Sequence, residues 1–368
     1  METARPQLTP IDELYLQRAY ELAARALGAT APNPPVGAVV VRDGRVVGEG
    51  YHRAAGAPHA ETEALREAGA AARGATLYVS LEPCRHVGRT PPCTHALIEA
   101  GVARVVAGTF DPANGGAAEL QARGIAVSVA DDPSARTLIE IFARASTSDR
   151  PYVALKMAAS LDGIVATRPG VQERLGSADE DRYVRELRIA HDAVLAGAGT
   201  VRIDDPQLTV RPPHARSRPY VRVVACESEG VDRRSRVFAE NDGYAKTIVL
   251  APAGARRTFD VLAGVADLVY VGDANSAALD LPLAMKALRE RGIFSVLCEG
   301  GPRLAASLLA ASAVDRVYWA IAPRLLSNDN AVPVLLGSDL ARLDLRLRFD
   351  RIERAGDDVV ISGTIAYV

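Results

Sequence analysis

With 368 residues, 48 % hydrophobic and 24 % charged, the chain has the length of two domains and the balance of a globular protein. Its 43 basic and 45 acidic side chains leave a net charge of −2, which gives no bulk attraction to nucleic acid or an anionic membrane, and aromatic residues at 5 % offer few stacking platforms for bases. No apolar run reaches the roughly 18 residues of a membrane span and no apolar leader follows Met1, so the cytoplasm is the expected compartment.

In chain order, residues 12–27 predict an amphipathic helix, because Leu14, Tyr15, Ala19, Leu22, Ala23 and Ala26 recur at helical spacing. A turn at Pro32-Asn33-Pro34-Pro35 leads into two apolar runs, 36–41 and 46–50, whose Asp43-Gly44 connection signals a hairpin. An alanine-rich helix is expected from near His59 to just before Gly74, a strand over 76–81 and a helix over 93–100 closed by Gly101. Strands over 102–107 and 125–129 complete an α/β pattern with a largely parallel sheet beyond the hairpin. The polar stretch 146–151 is the expected boundary, giving domains 1–148 and 149–368. Beyond it the pattern restarts with strands over 152–159, 193–198, 220–226, 246–251, 267–271, 295–298 and 314–321 and helices over 178–190, 283–291 and 302–311, a second α/β domain in which 228–243 is expected to be a polar surface loop.

Of the four cysteines, Cys226 and Cys298 stand apart, and the set does not make a disulfide framework. Cys84 and Cys93, eight residues apart, follow a strand, and His59-Ala60-Glu61 opens a helix upstream. One imidazole and two thiolates supply three zinc ligands and leave the fourth tetrahedral position for water, whose pKa the ion lowers to about 7. Glu61, two residues past His59, is placed to shuttle a proton without binding metal, and His-x-Glu with a downstream Pro-Cys is the signature of zinc nucleobase deaminases. A structural zinc site would more often show a fourth Cys or His and would leave Glu61 unexplained. The loop between the cysteines carries Arg85, His86, Arg89 and Thr90, suited to a polar or phosphorylated substrate.

In the second half, Gly197-Ala198-Gly199-Thr200 follows an apolar strand and Glu299-Gly300-Gly301-Pro302 precedes a helix. Glycines at a helix N-terminus let backbone N–H groups approach a pyrophosphate, so the layout suits a dinucleotide without matching the Gly-x-Gly-x-x-Gly pattern.

The run from Leu81-Glu82-Pro83-Cys84 to Gly88-Arg89-Thr90-Pro91-Pro92-Cys93 resembles the deaminase domain of the bifunctional riboflavin-biosynthesis deaminase/reductase family. So do Pro32-Asn33-Pro34-Pro35-Val36-Gly37, Gly50-Tyr51-His52 and Gly56-Ala57-Pro58-His59-Ala60-Glu61. The resemblance implies a cytidine-deaminase-like three-layer α/β domain that deaminates 2,5-diamino-6-(ribosylamino)-pyrimidinone 5′-phosphate, with His59, Cys84 and Cys93 on zinc, Glu61 catalytic, and Asn33, His86, Arg89 and Thr90 on substrate. The second half is similar to the same family's reductase domain through Lys156–Gly163, Arg188 to Asp192, Thr200–Arg211 and Glu299-Gly300-Gly301. That likeness implies a dihydrofolate-reductase-like α/β fold using NADPH. Ala158, Thr200, Asp204, Gly300 and Gly301 would contact the cofactor, and Arg188, Leu208, Arg211 and Glu299 the phosphorylated substrate, with Lys156 and Glu299 near the carbon that accepts hydride.

Three departures accompany the likeness. Ala113-Asn114-Gly115-Gly116 replaces a longer loop after Asp111-Pro112, in a region expected to lie away from the metal ligands. Gln172 and Arg174 stand where the family has a substrate-binding Ser and a cofactor-side Trp, and Ser327 where it has a glycine. They leave open a deaminase of a related aminopyrimidine whose second domain is degenerate, or serves only binding or assembly. A nucleic-acid deaminase is disfavoured by the neutral charge. The expected partners are a phosphorylated aminopyrimidine and further copies of the chain, with no nucleic acid and no membrane.

Overall fold

A computed structural model describes residues 8–87, 91–210, 218–241, 243–337 and 339–367. Its contacts divide the chain into two units, Met1–Ser148 and Asp149–Val368. No helix among the described residues is long and apolar enough to cross a membrane.

The first unit runs α1 (Pro10–Ala24), β1 (Gly37–Arg42), β2 (Arg45–Tyr51), α2 (Ala60–Ala68), β3 (Thr76–Val79), α3 (Cys93–Ala100), β4 (Arg104–Ala107), α4 (Ala117–Ala122), β5 (Ala126–Val129), α5 (Pro133–Leu138) and α6 (Glu140–Thr147). The sheet order is β2-β1-β3-β4-β5, antiparallel through the hairpin and parallel from β3 to β5. Alternation along the strands makes three layers. Ala38, Val40, Leu77 and Val105 face Ala60, Ala64 and Leu97, whereas Val39, Val41, Tyr78 and Val106 face Leu16, Ala19, Tyr20 and Ala135. Helix α1 starts two residues earlier than expected, because Thr9 and Asp12 form a reciprocal capping box, and Leu14 points to solvent. Helix α2 ends at Gly69 rather than near Gly74, since Gly69 takes a positive φ and the chain tightens into a 3-10 turn over Gly69–Ala72. Helix α6 continues to Thr147, into the stretch expected to be a linker, as the Ser146 and Thr147 hydroxyls donate to the Phe142 and Ala143 carbonyls.

The second unit comprises β6 (Tyr152–Ser160), β7 (Ile164–Ala166), α7 (Ala178–Ala190), β8 (Ala193–Gly197), α8 (Ala198–Asp204), β9 (Val221–Ala225), β10 (Thr247–Pro252), α9 (Arg256–Phe259), β11 (Ala266–Val271), α10 (Leu281–Glu290), β12 (Ser295–Cys298), α11 (Pro302–Ala310), β13 (Arg316–Ala322), β14 (Val332–Pro333), β15 (Arg346–Ala355) and β16 (Asp358–Ala366). Nine strands form one sheet in the order β11-β10-β9-β8-β12-β6-β13-β16-β15. It is parallel from β11 to β13, and β16 and β15 add as an antiparallel hairpin. One face packs Leu155, Leu195, Val223 and Val296 under α10 and α11; the other packs Val194, Val224 and Val249 against Phe238, Phe259 and Leu262. Two expectations change here. The closing hairpin, absent from the sequence reading, is an edge structure whose β15 is almost wholly exposed. Within 228–243, expected to be a polar loop, Val231, Val237 and Phe238 are buried in the second core.

Candidate active site

His59 is the N-cap of α2, with extended backbone and no side-chain capping bond, and Cys93 is the first residue of α3. The amide of Thr94 donates to the Cys84 carbonyl, tying the α3 start to the strand-end loop. His59 Nδ1 lies 3.1 Å from Cys93 Sγ and 3.6 Å from Cys84 Sγ, and the three donor atoms lie within 4.8 Å of one another. Donors on a tetrahedral zinc with bonds of roughly 2.0–2.3 Å stand about 3.5 Å apart, so this nitrogen and these sulfurs fit the ion and leave one position open. Hydrogen bonds from Cys93 and His59 lower the pKa of the Cys84 thiol while the shared proton pushes that of Cys93 up, so the pair is poised to present a thiolate.

Glu61, in the first turn of α2, is buried. Burial, and then the negative charge of Cys84, pushes its carboxyl up to about 6. Asn33 sits across the site. Its Nδ2 is 3.1 Å from His52 Nε2, and His52 Nδ1 is 3.0 Å from the Pro58 carbonyl. A carbonyl only accepts, so Nδ1 carries the proton and Nε2 accepts from Asn33, which fixes the amide and leaves its Oδ1 as an acceptor for a ligand. Burial, chiefly, lowers the His52 pKa and keeps the ring neutral for this role.

The loop 113–116, expected to lie away from the ligands, lies against them. Cys84 and Gly115 form a β-bridge, Gly116 N–H donates to the Pro83 carbonyl and Arg85 N–H to that of Asn114. Buried Glu82 accepts from the amides of Asp111 and Ala117 and so clamps the loop's two ends. Only glycine fits at 115, where a Cβ would come within 2.3 Å of Glu82 Oε2. Among the substrate residues expected beside this site, His86 is exposed, and Arg89 and Thr90 lie outside the described residues.

In the second unit a cleft of about 1310 Å³ is lined by Lys156, Ala158, Thr200, Asp204, Glu299 and Gly301, among others. Its glycine turns fit an extended ligand. Gly199 has open space where a Cβ would stand, and a Cβ on Gly301 would lie 2.9 Å from Thr200 Oγ1. Gly300 backs this wall, its carbonyl accepting from Gly197 N–H at 2.9 Å. Burial raises the pKa of Asp204.

Arg188 does not point a vacant guanidinium into the cleft. Its Nε and Nη2 donate to the two oxygens of Glu299 at 2.5 and 2.6 Å, and its Nη1 donates to the Thr209 carbonyl at 2.6 Å. Burial works to raise the Glu299 pKa, but the charges of Arg188 and Lys156 outweigh it and the net shift is down. Leu208 has φ +50° and its side chain is buried in the core, so its main chain is the part available to a ligand. Arg211 lies outside the described residues.

Two family models divide the chain in the same order as these sites: the cytidine and deoxycytidylate deaminase zinc-binding region over residues 9–109, and the RibD C-terminal domain over 151–361. The riboflavin biosynthesis protein RibD of Aquifex aeolicus is 40 % identical over 357 residues, 95 % of this chain and 98 % of its own. That of Escherichia coli is 39 % identical over 369 residues with the same shares. Among solved structures, RibD of Acinetobacter baumannii superposes with a TM-score of 0.80 at 31 % identity, over 97 % of this chain and 99 % of its own. A diaminohydroxyphosphoribosylaminopyrimidine deaminase/5-amino-6-(5-phosphoribosylamino)uracil reductase of Thermotoga maritima gives 0.78 at 33 % identity with equal coverage. This chain belongs to the RibD family.

It is therefore a two-domain enzyme of riboflavin biosynthesis, deaminase first and reductase second. The departures from the RibD pattern are accommodated within the second unit. Gln172 and Arg174 both line the cleft and are exposed. Arg174 pairs with Asp181 at 2.6 Å and its carbonyl accepts from Arg324, while Thr167 donates to Glu173, so the altered loop is pinned at several points. Ser327 N–H donates to Asp162, a bond its main chain makes without needing a glycine. Three residues of this RibD-type molecule escaped sequence reasoning: His52, which fixes Asn33; Glu82, which clamps the 111–117 loop; and Glu180, whose Oε1 lies 2.5 Å from Lys156 Nζ. A buried acidic residue in a cleft is visible only once the fold places it.

Proposed function

We propose that the first unit hydrolyses the 2-amino group of 2,5-diamino-6-(ribosylamino)-4(3H)-pyrimidinone 5′-phosphate and that the second reduces the resulting ribosylaminouracil to 5-amino-6-(ribitylamino)uracil 5′-phosphate. The observation that carries the first step is the convergence of His59, Cys84 and Cys93 beside a buried carboxyl. These three residues hold zinc, which when bound supplies Lewis-acid activation of a water near neutral pH. Glu61, buried beside these ligands, takes a proton from the attacking water and hands it to the departing amine. Asn33, steadied by His52, orients the ring, and His86, Arg89 and Thr90 receive the phosphate end.

In the second unit NADPH supplies the hydride when bound. Ala158, Thr200, Asp204 and Gly301, which line the cleft, and Gly300, which backs it, would hold the cofactor, and Lys156 and Glu299, which also line the cleft, would meet the ribosyl carbon. Arg188 holds Glu299 ionised and oriented, and the Leu208 main chain with Arg211 meets the substrate. The reading includes a homo-oligomer in the cytoplasm: Phe349 and Ile352 are exposed on the edge strand β15, and none of the four cysteines is in a disulfide.

Mass spectrometry of turnover on the diaminopyrimidine ribosylamine phosphate tests both steps. A product about 1 Da heavier without NADPH, and about 2 Da heavier again with it, supports the two-step reading. Deamination unchanged by NADPH defeats the second step, and no reaction at all defeats the substrate.

A further inference from the structure

The cleft of the second unit holds two carboxylates near one ammonium, and they are not equivalent. Both oxygens of Glu299 are taken by Arg188. The oxygen nearest Lys156 Nζ, at 2.5 Å, is Glu180 Oε1; the contact is an ion pair rather than an aligned hydrogen bond, and that buried oxygen has no hydrogen-bond partner among the described residues. Both partners are sheltered, with side chains 14 % and 6 % exposed, so water screens the pair little. Glu180 also lines the cleft.

Its placement is built by three neighbours. Glu180 is the third residue of α7, and Ser177, the N-cap, accepts from its amide at 3.2 Å. In a Ser-x-x-Glu capping box the glutamate side chain reaches back to the N-cap amide. Here the Ser177 amide donates instead to buried Asp358 at 2.8 Å, so Glu180 is released from capping and turns to Lys156. Gly176 completes the arrangement, because a Cβ there would come within 2.3 Å of Glu180 Oε2.

We infer that Glu180 is a positioning residue of the reductase, holding the Lys156 ammonium at the reacting end of the cleft while Glu299 is held by Arg188. The inference rests on the reduction proposed above. One hydride and one proton saturate the C=N bond of the opened ribosylamine; the hydride comes from NADPH, and the proton from the cation that Glu180 fixes, with solvent replacing it.

The test compares the full zinc-loaded chain with Glu180→Gln, Glu180→Asp and Gly176→Ala, using the deaminated intermediate and NADPH. Glu180→Gln is expected to lower reductase kcat roughly tenfold or more and to leave the KM for NADPH and the deaminase rate unchanged. Glu180→Asp recovers part of the loss. Gly176→Ala, which displaces the carboxylate without removing it, reproduces the Gln phenotype. The chain contains three lysines, Lys156, Lys246 and Lys286, so a cofactor-free readout is at hand. In 15N-lysine spectra a slowly exchanging Lys156 ammonium signal is expected in the parent and is lost in Glu180→Gln. A Gln variant with parent kcat and ammonium signal overturns the inference. A parent chain that oxidises no NADPH overturns the reductase reading itself, and that result is seen before any variant is made.

Discussion

The two catalytic regions solve the problem of holding charge in opposite ways. The deaminase site gathers one imidazole and two sulfurs from 35 residues of chain, residues 59–93, and leaves them short of a partner that a cation supplies. The reductase cleft gathers Lys156 from β6, Glu180 and Arg188 from α7 and Glu299 from the loop after β12, and these charges already neutralise one another in pairs. The first site is completed by what it binds. The second is complete as a fold and must spare part of its network for substrate. Removing a residue from the first should therefore cost activity with little change in folding, whereas removing one from the second should cost both.

The sharpest test is Glu61→Gln. We expect deamination to fall by about 10²–10⁴-fold, the range of a lost general acid–base, with zinc content by elemental analysis unchanged. Retained turnover would break the assignment. Next is Arg188→Met. It strands Glu299 in a buried position, and breaking such a pair costs about 3 kcal/mol or more. Chemical denaturation should show the second unit destabilised while deaminase activity persists, and equal stability would dissolve the contrast between the regions. A smaller effect is expected of Gly115→Ala, which pushes Glu82 away from the loop that abuts Cys84. By analogy with other outer-shell changes, zinc affinity in a chelator competition should weaken about 10–100-fold.

The smallest effect appears on acidification. Arg104, first of all, together with the amide of Thr9 and the hydroxyls of Tyr78 and Thr9, holds the Asp12 carboxyl well below the usual range, against the upward push of burial. A folded-state pKa below the unfolded one stabilises above about pH 4 and loses that stabilisation as pH falls further. Thermal unfolding of the first unit should steepen in its pH dependence below pH 4, and Asp12→Asn should flatten that slope.

The metal ligands and Glu61 were legible in the sequence because their spacing is local and few other chemistries use it. The strands of both sheets, the closing β15–β16 hairpin excepted, were legible through their apolar runs. What the sequence could not reveal depends on residues distant along the chain. Ser177 to Glu180 spells a capping box, and only Asp358, across the unit, decides that Glu180 does not cap. The 113–116 loop reads as a solvent turn until Glu82 is seen to draw its ends onto Cys84. Val237 and Phe238 lie in a polar stretch whose single 3-10 turn folds them inward, too short a pattern for periodicity to register. The Arg-rich β15 alternates Leu347 and Phe349 with arginines instead of forming a continuous apolar run, being an edge strand paired on one side only.

The order of strands in the second sheet bears on how the molecule is made. The first unit has all five of its strands once residue 129 has been synthesised, and its sheet pairs near neighbours in sequence. In the second unit β6 is the earliest strand and sits deep inside the sheet, yet its two partners, β12 and β13, begin at residues 295 and 316. During translation the metal-binding half can fold and load its ion while the other half still waits on its last quarter, with β6 unpaired. A ribosome stalled before β13 would carry a finished deaminase tethered to an unfinished reductase.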